Sequence, residues 1–165
     1  MNPEHYMNIA LAQARKAYEL GEVPIGAVVV YHPHDAATRR ETAPPQVIAS
    51  ACNMRETQHN PAGHAEFLAI EQAARHLGNW RLSQCIVYVT LEPCIMCAGL
   101  MQQARVAKCV YGAADPKGGA LGTLYNINAD VRLNHNFEVV NGVLEDECSQ
   151  LLKQFFKSRR RKQKQ

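Results

Sequence analysis

The sequence predicts an α/β fold, a three-layer α/β/α sandwich on a mixed five-stranded sheet. Three observations carry this. Short β-branched runs alternate with segments whose apolar residues recur at helical spacing. CIVYVT (85–90) is continuously apolar, as strands buried on both faces are. CIVYVT, CIMCAGLMQQ and VAKCVYG succeed one another as strand, helix and strand, at the length of a βαβ unit with parallel strands.

The elements follow in order. Asn2, Pro3 and Glu4 form a helix start: a cap, a proline in the first turn and an early acid. Met7, Ala10, Leu11, Ala14, Ala17 and Tyr18 continue it at helical spacing, and Gly21 stops it. IGAVVVY (25–31) reads as a strand and VIASAC (47–52) as its hairpin partner. Between them lies HPHDAATRRETAPPQ (32–46), a 15-residue connection with three prolines. It is longer than most hairpin loops and reads as a surface insertion. A second helix is expected from about His64 to Leu77, with Phe67, Ile70, Ala73, Ala74 and Leu77 as its apolar stripe and Gly78 as its stop. After the βαβ unit come a polar, glycine-containing stretch, a short strand in FEVVNG, and a last helix from about Leu144. No internal repeat or second-domain boundary is visible. Residues 1–165 read as a single domain, with 32–46 inserted and 157–165 as a basic tail.

Composition narrows the class. Apolar residues make up 47% of the chain, which excludes a disordered polymer, and no apolar run approaches the roughly 20 residues that cross a bilayer. MNPEHYMN has neither a basic n-region nor an apolar h-region, so a cytoplasmic protein without membrane association is expected. Six cysteines without a leader read as thiols, with Cys85 and Cys109 as small buried hydrophobes. The net charge of +3 is unevenly spread. KSRRRKQKQ (157–165) holds six of the 18 Lys and Arg, so residues 1–156 carry 12 basic against 15 acidic side chains, a net of −3.

Chemistry concentrates in two motifs. TLEPCIMCAG carries Cys94 and Cys97 at metal-ligand spacing, at the start of a helix whose N-terminal dipole favours thiolates. AGHAEF offers His64 as a third ligand. Two thiolates and one imidazole make three ligands; structural zinc sites use four protein ligands, whereas catalytic sites keep one position for water, whose pKa the ion lowers to about 7. Glu66, two residues beyond His64, is the candidate acid–base. Positions i and i+2 of a regular helix diverge, so the two converge only if His64 sits at the helix cap. His64-Ala65-Glu66 followed by Pro93-Cys94-x-x-Cys97 is the signature of zinc-dependent nucleobase deaminases.

EVPIGAVVV, NWRL, YVTLEPCIMCAG, RLNH and the ending C-x-x-LLKQFFKSRR extend the likeness over nearly the whole chain except 32–46. Here the sequence resembles the bacterial tRNA-specific adenosine deaminases of the zinc-dependent cytidine/deoxycytidylate deaminase superfamily. The resemblance implies a cytidine deaminase-like fold and a homodimer with one Zn2+ per subunit. It implies hydrolysis of the wobble adenosine of a tRNA anticodon stem-loop to inosine, with release of ammonia. It also implies that His64, Cys94 and Cys97 are the zinc ligands and Glu66 the proton shuttle. By the same resemblance Asn53 contacts the flipped nucleoside, backbone around Ala65, Glu92 and Pro93 reads the base edge, and Asp115 lies near the target sugar. The chain departs from the family's usual pattern in its long 32–46 loop and at Asn60, Gly63 and Asn136.

The substrate chemistry is consistent. Adenine C6 bears an amino group that hydroxide can displace, an RNA loop lets a base be splayed out, and a basic tail can meet phosphates. Tyr111, Tyr125 and His135 are candidate stacking residues. Two rival readings remain: a deaminase of a free nucleobase such as guanine or cytosine, and a non-catalytic zinc module that holds RNA. The basic ending speaks against the first, and Glu66 with only three ligands against the second.

Overall fold

The computed structural model describes residues 2–162 except Ala36 and Arg39, with the side chain of Lys162 also outside the description. Its elements, in chain order, are α1 (Pro3–Glu19), β1 (Gly26–Tyr31), β2 (Gln46–Cys52), α2 (Ala65–Leu77), β3 (Cys85–Leu91), α3 (Ile95–Gln103), β4 (Lys108–Ala113), β5 (Glu138–Val140) and α4 (Glu145–Lys162), with a single 3-10 turn at Ile127–Ala129. The five strands form one sheet in the order β2-β1-β3-β4-β5. β1 runs antiparallel to β2 and β3, while β3, β4 and β5 are mutually parallel. The sheet is therefore mixed, as the alternation of hairpin and βαβ patterns predicts.

Strand alternation builds the two outer layers. Ala27, Val29, Val87, Val89, Cys109 and Tyr111 point to one face, where Ala65, Ala69, Ile70 and Ala73 of α2 and Ala98 and Met101 of α3 cover them. Val28, Val30, Ile86, Tyr88 and Val110 point to the other, against Met7, Ala10 and Leu11 of α1 and Cys148 of α4. β1 is apolar throughout because both of its faces are covered, and a strand in that position cannot alternate with polar residues. Cys85 and Cys109 are fully buried, as expected of small hydrophobes, and burial pushes the Cys85 thiol up to about 12.

α1 begins as the sequence predicts, with the Asn2 side chain accepting from Glu4 N at 3.1 Å. It lies directly on Gly26. A Cβ there would stand 2.1 Å from Ala10 O, so only glycine permits this approach. β2 carries a bulge, because Val29 pairs with Ala49 but Val30 pairs with Val47. No helix among the described residues is long and apolar enough to cross a membrane.

Parallel β3 and β4 deliver their C-terminal ends to the same edge, and the first turns of α2 and α3 lie there. The insertion leaves from Tyr31, which pairs with Cys85 at the opposite end of β3. It folds back on itself through a His34–Glu41 bridge and a 2.6 Å contact between His32 Nε2 and Glu41 Oε1, and Gln84 Nε2 donates to His34 O.

Candidate active site

Two helix starts face each other. His64 is the N-cap of α2, with extended backbone (φ −78°, ψ 143°), and Cys94 is the N-cap of α3 (φ −73°, ψ 174°). Cys97 sits in the first turn of α3. Extended dihedrals at His64 turn its ring toward the cysteines, while Glu66, already helical, keeps its carboxyl on the same side. The divergence expected of i and i+2 is thereby removed.

His64 Nδ1 lies 3.6 Å from Cys94 Sγ and 3.7 Å from Cys97 Sγ. Among the described residues these three form the only group of three or more side chains whose donor atoms could hold a metal, all within 4.8 Å of one another. The donor set fits zinc. A tetrahedral ion with bonds of about 2.0 Å to nitrogen and about 2.3 Å to sulfur separates such atoms by about 3.5 Å.

Cys94 has the electrostatics of a ligand. Hydrogen bonding to Cys97 and to His64 outweighs burial and brings the Cys94 thiol down to about 4. Cys97 moves the opposite way, raised by its bond to Cys94, by burial and by Glu66. His64 is raised, chiefly through its bond to Cys94. Glu66 is 4% exposed, and burial raises its carboxyl above the ordinary carboxylate range, with Cys97 as a hydrogen-bonding neighbour.

The remaining sequence-derived residues surround this group to different degrees. Asn53, 3% exposed, directly follows β2, and Met54 N donates to Gly63 O at 2.8 Å, which packs this segment against the residue before His64. Ala65 is buried in the first turn of α2. Pro93 O accepts from Ala120 N at 2.9 Å. Asp115, half-buried, accepts from Lys117 N at 2.9 Å, and its loop reaches the cysteines through a bridge between Gly119 and Cys94. Of the candidate stacking residues, Tyr111 belongs to the core at 3% exposure, whereas Tyr125 is 51% exposed. His135 Nε2 is engaged with Val106 O at 2.9 Å.

Sequence reasoning misses two carboxylates. The resemblance has Glu92 acting through its backbone, yet its buried side chain organises the loop that carries Asp115. It accepts from Asp115 N at 3.1 Å and from Leu121 N and Thr123 N at 3.0 Å each. A Cβ at Gly119 would meet Glu92 Oε2 at 2.3 Å, which explains the glycine. Glu22, in EVPIGA, is 1% exposed and holds both Asn53 and Thr57. The available signal is an acid directly before an apolar, proline-containing strand entry.

A family model for MafB19-like deaminases matches residues 1–160. The tRNA-specific adenosine deaminase of Bacillus subtilis (strain 168) is 49% identical over 161 residues, 98% of this chain and 92% of that protein. The chain belongs to the tRNA-specific adenosine deaminase family. Its family likeness extends to three dimensions. A solved structure from work on A-to-I editing by tRNA:A34 deaminases at the wobble position of transfer RNA superposes with a TM-score of 0.77 at 37% identity, covering 89% of this chain and 98% of the other. The guanine deaminase of Nitrosomonas europaea shares the fold, with a TM-score of 0.74 at 23% identity over 93% of this chain and 84% of its own. The fold of this tRNA-specific adenosine deaminase family member is accordingly cytidine deaminase-like.

Proposed function

We propose that this chain is a single deaminase domain that hydrolyses adenosine to inosine at the wobble position of a tRNA anticodon and releases ammonia. The observation that carries the reading is the His64–Cys94–Cys97 donor triangle with buried Glu66 beside it, in a chain 49% identical to a tRNA-specific adenosine deaminase.

His64 Nδ1, Cys94 Sγ and Cys97 Sγ are the ligands for one Zn2+ per subunit. When bound, zinc acts as a Lewis acid that makes water a nucleophile at neutral pH. Glu66 manages the proton. Its burial strengthens its hold on a proton, so it can take one from the attacking water and return it to the departing amino group. Oxygen bonds to C6, the C6–N6 bond breaks, and N6 leaves as ammonia. Backbone at Ala65, Glu92 and Pro93 borders the base, Asn53 contacts the nucleoside, and Asp115 lies by its sugar.

An anticodon loop suits this arrangement because its bases are splayed out without opening a duplex. Exposed Leu124 and Tyr125 lie on the loop that Glu92 holds, and α4 ends in exposed Arg160 and Arg161, suited to backbone phosphates. Ile95 and Met96, exposed on α3 next to the ligands, give an apolar surface for a homodimer. The cytoplasm, where tRNA is processed, is the fitting location.

The test is a substrate panel. Purified zinc-loaded protein is given anticodon stem-loops with adenosine at the wobble position, and separately free guanine, cytosine and adenosine. Inosine in the stem-loop with no ammonia from the free compounds is the expected result. Ammonia from a free base with unaltered RNA would replace this reading with nucleobase deamination.

A further inference from the structure

Asn53 is oriented by a carboxylate that touches no reacting group. Glu22 Oε1 accepts from Thr57 N at 2.7 Å, and Glu22 Oε2 accepts from Asn53 Nδ2 at 3.2 Å. Both side chains are buried, at 1% and 3% exposure. An asparagine amide has a donor end and an acceptor end, and a carboxylate only accepts, so Nδ2 has to face Glu22. The acceptor end is left for something else. Among the described residues no side chain or backbone group donates to Asn53 Oδ1, and no buried side-chain oxygen or nitrogen lacks a partner, so Oδ1 reaches the surface. It does so from the segment that packs on Gly63, next to His64.

We propose that Glu22 is a positioning residue: it locks the Asn53 amide with its oxygen outward, as the acceptor for a hydrogen-bond donor of the bound nucleoside. In an RNA chain the donor that takes no part in the reaction is the ribose 2′-hydroxyl. The inference rests on the reading of Asn53 as a nucleoside contact. Glu22 contributes no atom to the reaction; it decides which end of Asn53 the substrate meets.

Glu22→Gln makes the lock visible. The Thr57 N–H cannot turn round, so it takes the one remaining carbonyl oxygen. The new NH2 group then faces Asn53, whose amide must flip to accept from it. A donor now points where an acceptor stood. A contact made equally in ground and transition states governs KM and leaves kcat. Glu22→Gln is therefore expected to raise KM for the stem-loop by about 3- to 10-fold, the net effect of one hydrogen bond, because the hydroxyl has to turn over and accept instead of donating. Zinc content and kcat stay near the parent's.

A merely structural role would lower Tm without moving the KM of the folded enzyme. Two further variants complete the test. Asn53→Ala should raise KM, and adding Glu22→Gln to it should do nothing more, because the residue through which Glu22 acts is gone. Glu22→Gln with Asn53→Asp restores a complementary pair, with one aspartate oxygen taking the new NH2 and the other facing outward, and should bring KM most of the way back to the parent's. A 2′-deoxy target nucleotide lacks that donor and should abolish the Glu22→Gln effect, and an effect that persists on it would overturn the hydroxyl as the partner. An unchanged KM in Glu22→Gln while Asn53→Ala raises it, or additive effects in the double variant, would overturn the positioning role. An unchanged KM in Asn53→Ala would instead overturn the reading of Asn53 itself.

Discussion

His64 and Glu66 show how much the local sequence reveals about single residues. Their identities, and those of Cys94 and Cys97, are legible because each motif is contiguous and its spacing encodes a shared helix start. What makes His64 and Glu66 converge is one pair of extended dihedrals at the N-cap, which the preceding glycine suggests but only the structure displays. Glu92 is the opposite case. Its partners lie 23 to 31 residues away, and no local pattern reports them. Burial raises its pKa, but hydrogen bonds from Thr123, Asp115 and Leu121 prevail and hold the carboxyl below its ordinary 4.5. Its stabilising effect is accordingly full above about pH 4.5 and fades as pH falls through the lower folded value. Glu92→Gln sets an NH2 group against backbone N–H donors and should cost about 1–3 kcal/mol at neutral pH. Thermal melts of parent and variant should show that gap, and it should narrow in acid. A gap independent of pH would mean that shape, not charge, holds the loop.

At the scale of elements, the strands and helices are largely readable, and the misplacements have physical causes. VAKCVYG suggests a strand from Val106, but pairing begins at Lys108, because Val106 N still donates to Met101 O at the end of α3. β5 is only Glu138–Val140, since its sole neighbour is β4. The bulge in β2 is invisible in the sequence because VIASAC carries no glycine or proline to mark it. The insertion is better understood with the sheet in view. It leaves β1 at Tyr31, whereas the proposed ligands Cys94 and Cys97 follow the other end of β3, about 20 Å away for a seven-residue strand. Replacing residues 32–45 with Asn-Gly joins Tyr31 directly to its partner Gln46 through a two-residue turn. Loop-length changes cost little, about 0.6 kcal/mol per doubling. The shortened protein should fold, hold zinc and form inosine at the parent rate. Retained fold and zinc without RNA editing would make the insertion part of the RNA-binding surface.

Over the whole molecule, charge divides as the sequence indicates, a net of −3 over residues 1–156 and six basic residues beyond. The structure corrects which of those are free. Arg159 Nη2 donates to Gly21 O at 2.6 Å and its guanidinium lies 5.3 Å from the Phe155 ring, so it ties α4 to the end of α1. Arg160 and Arg161 are exposed. Changing those two to Gln, and sparing Arg159, removes charge with little effect on helix propensity. Affinity for the stem-loop should fall, and its log–log salt slope should shrink by about 0.7–0.9 for each phosphate that is no longer neutralised. An unaltered slope would make the end of α4 a solvated terminus. The most direct measurement concerns Glu66. Intact tRNA is incubated with zinc-loaded parent and with Glu66→Gln, inosine is mapped at the wobble position, and bound zinc is quantified in both. The parent should convert the wobble adenosine, and the variant should keep its zinc while turnover falls by about 10²–10⁴-fold or more. Inosine formed at the parent rate by Glu66→Gln, or a variant that no longer holds zinc, would contradict the division of labour between three ligands and one buried acid.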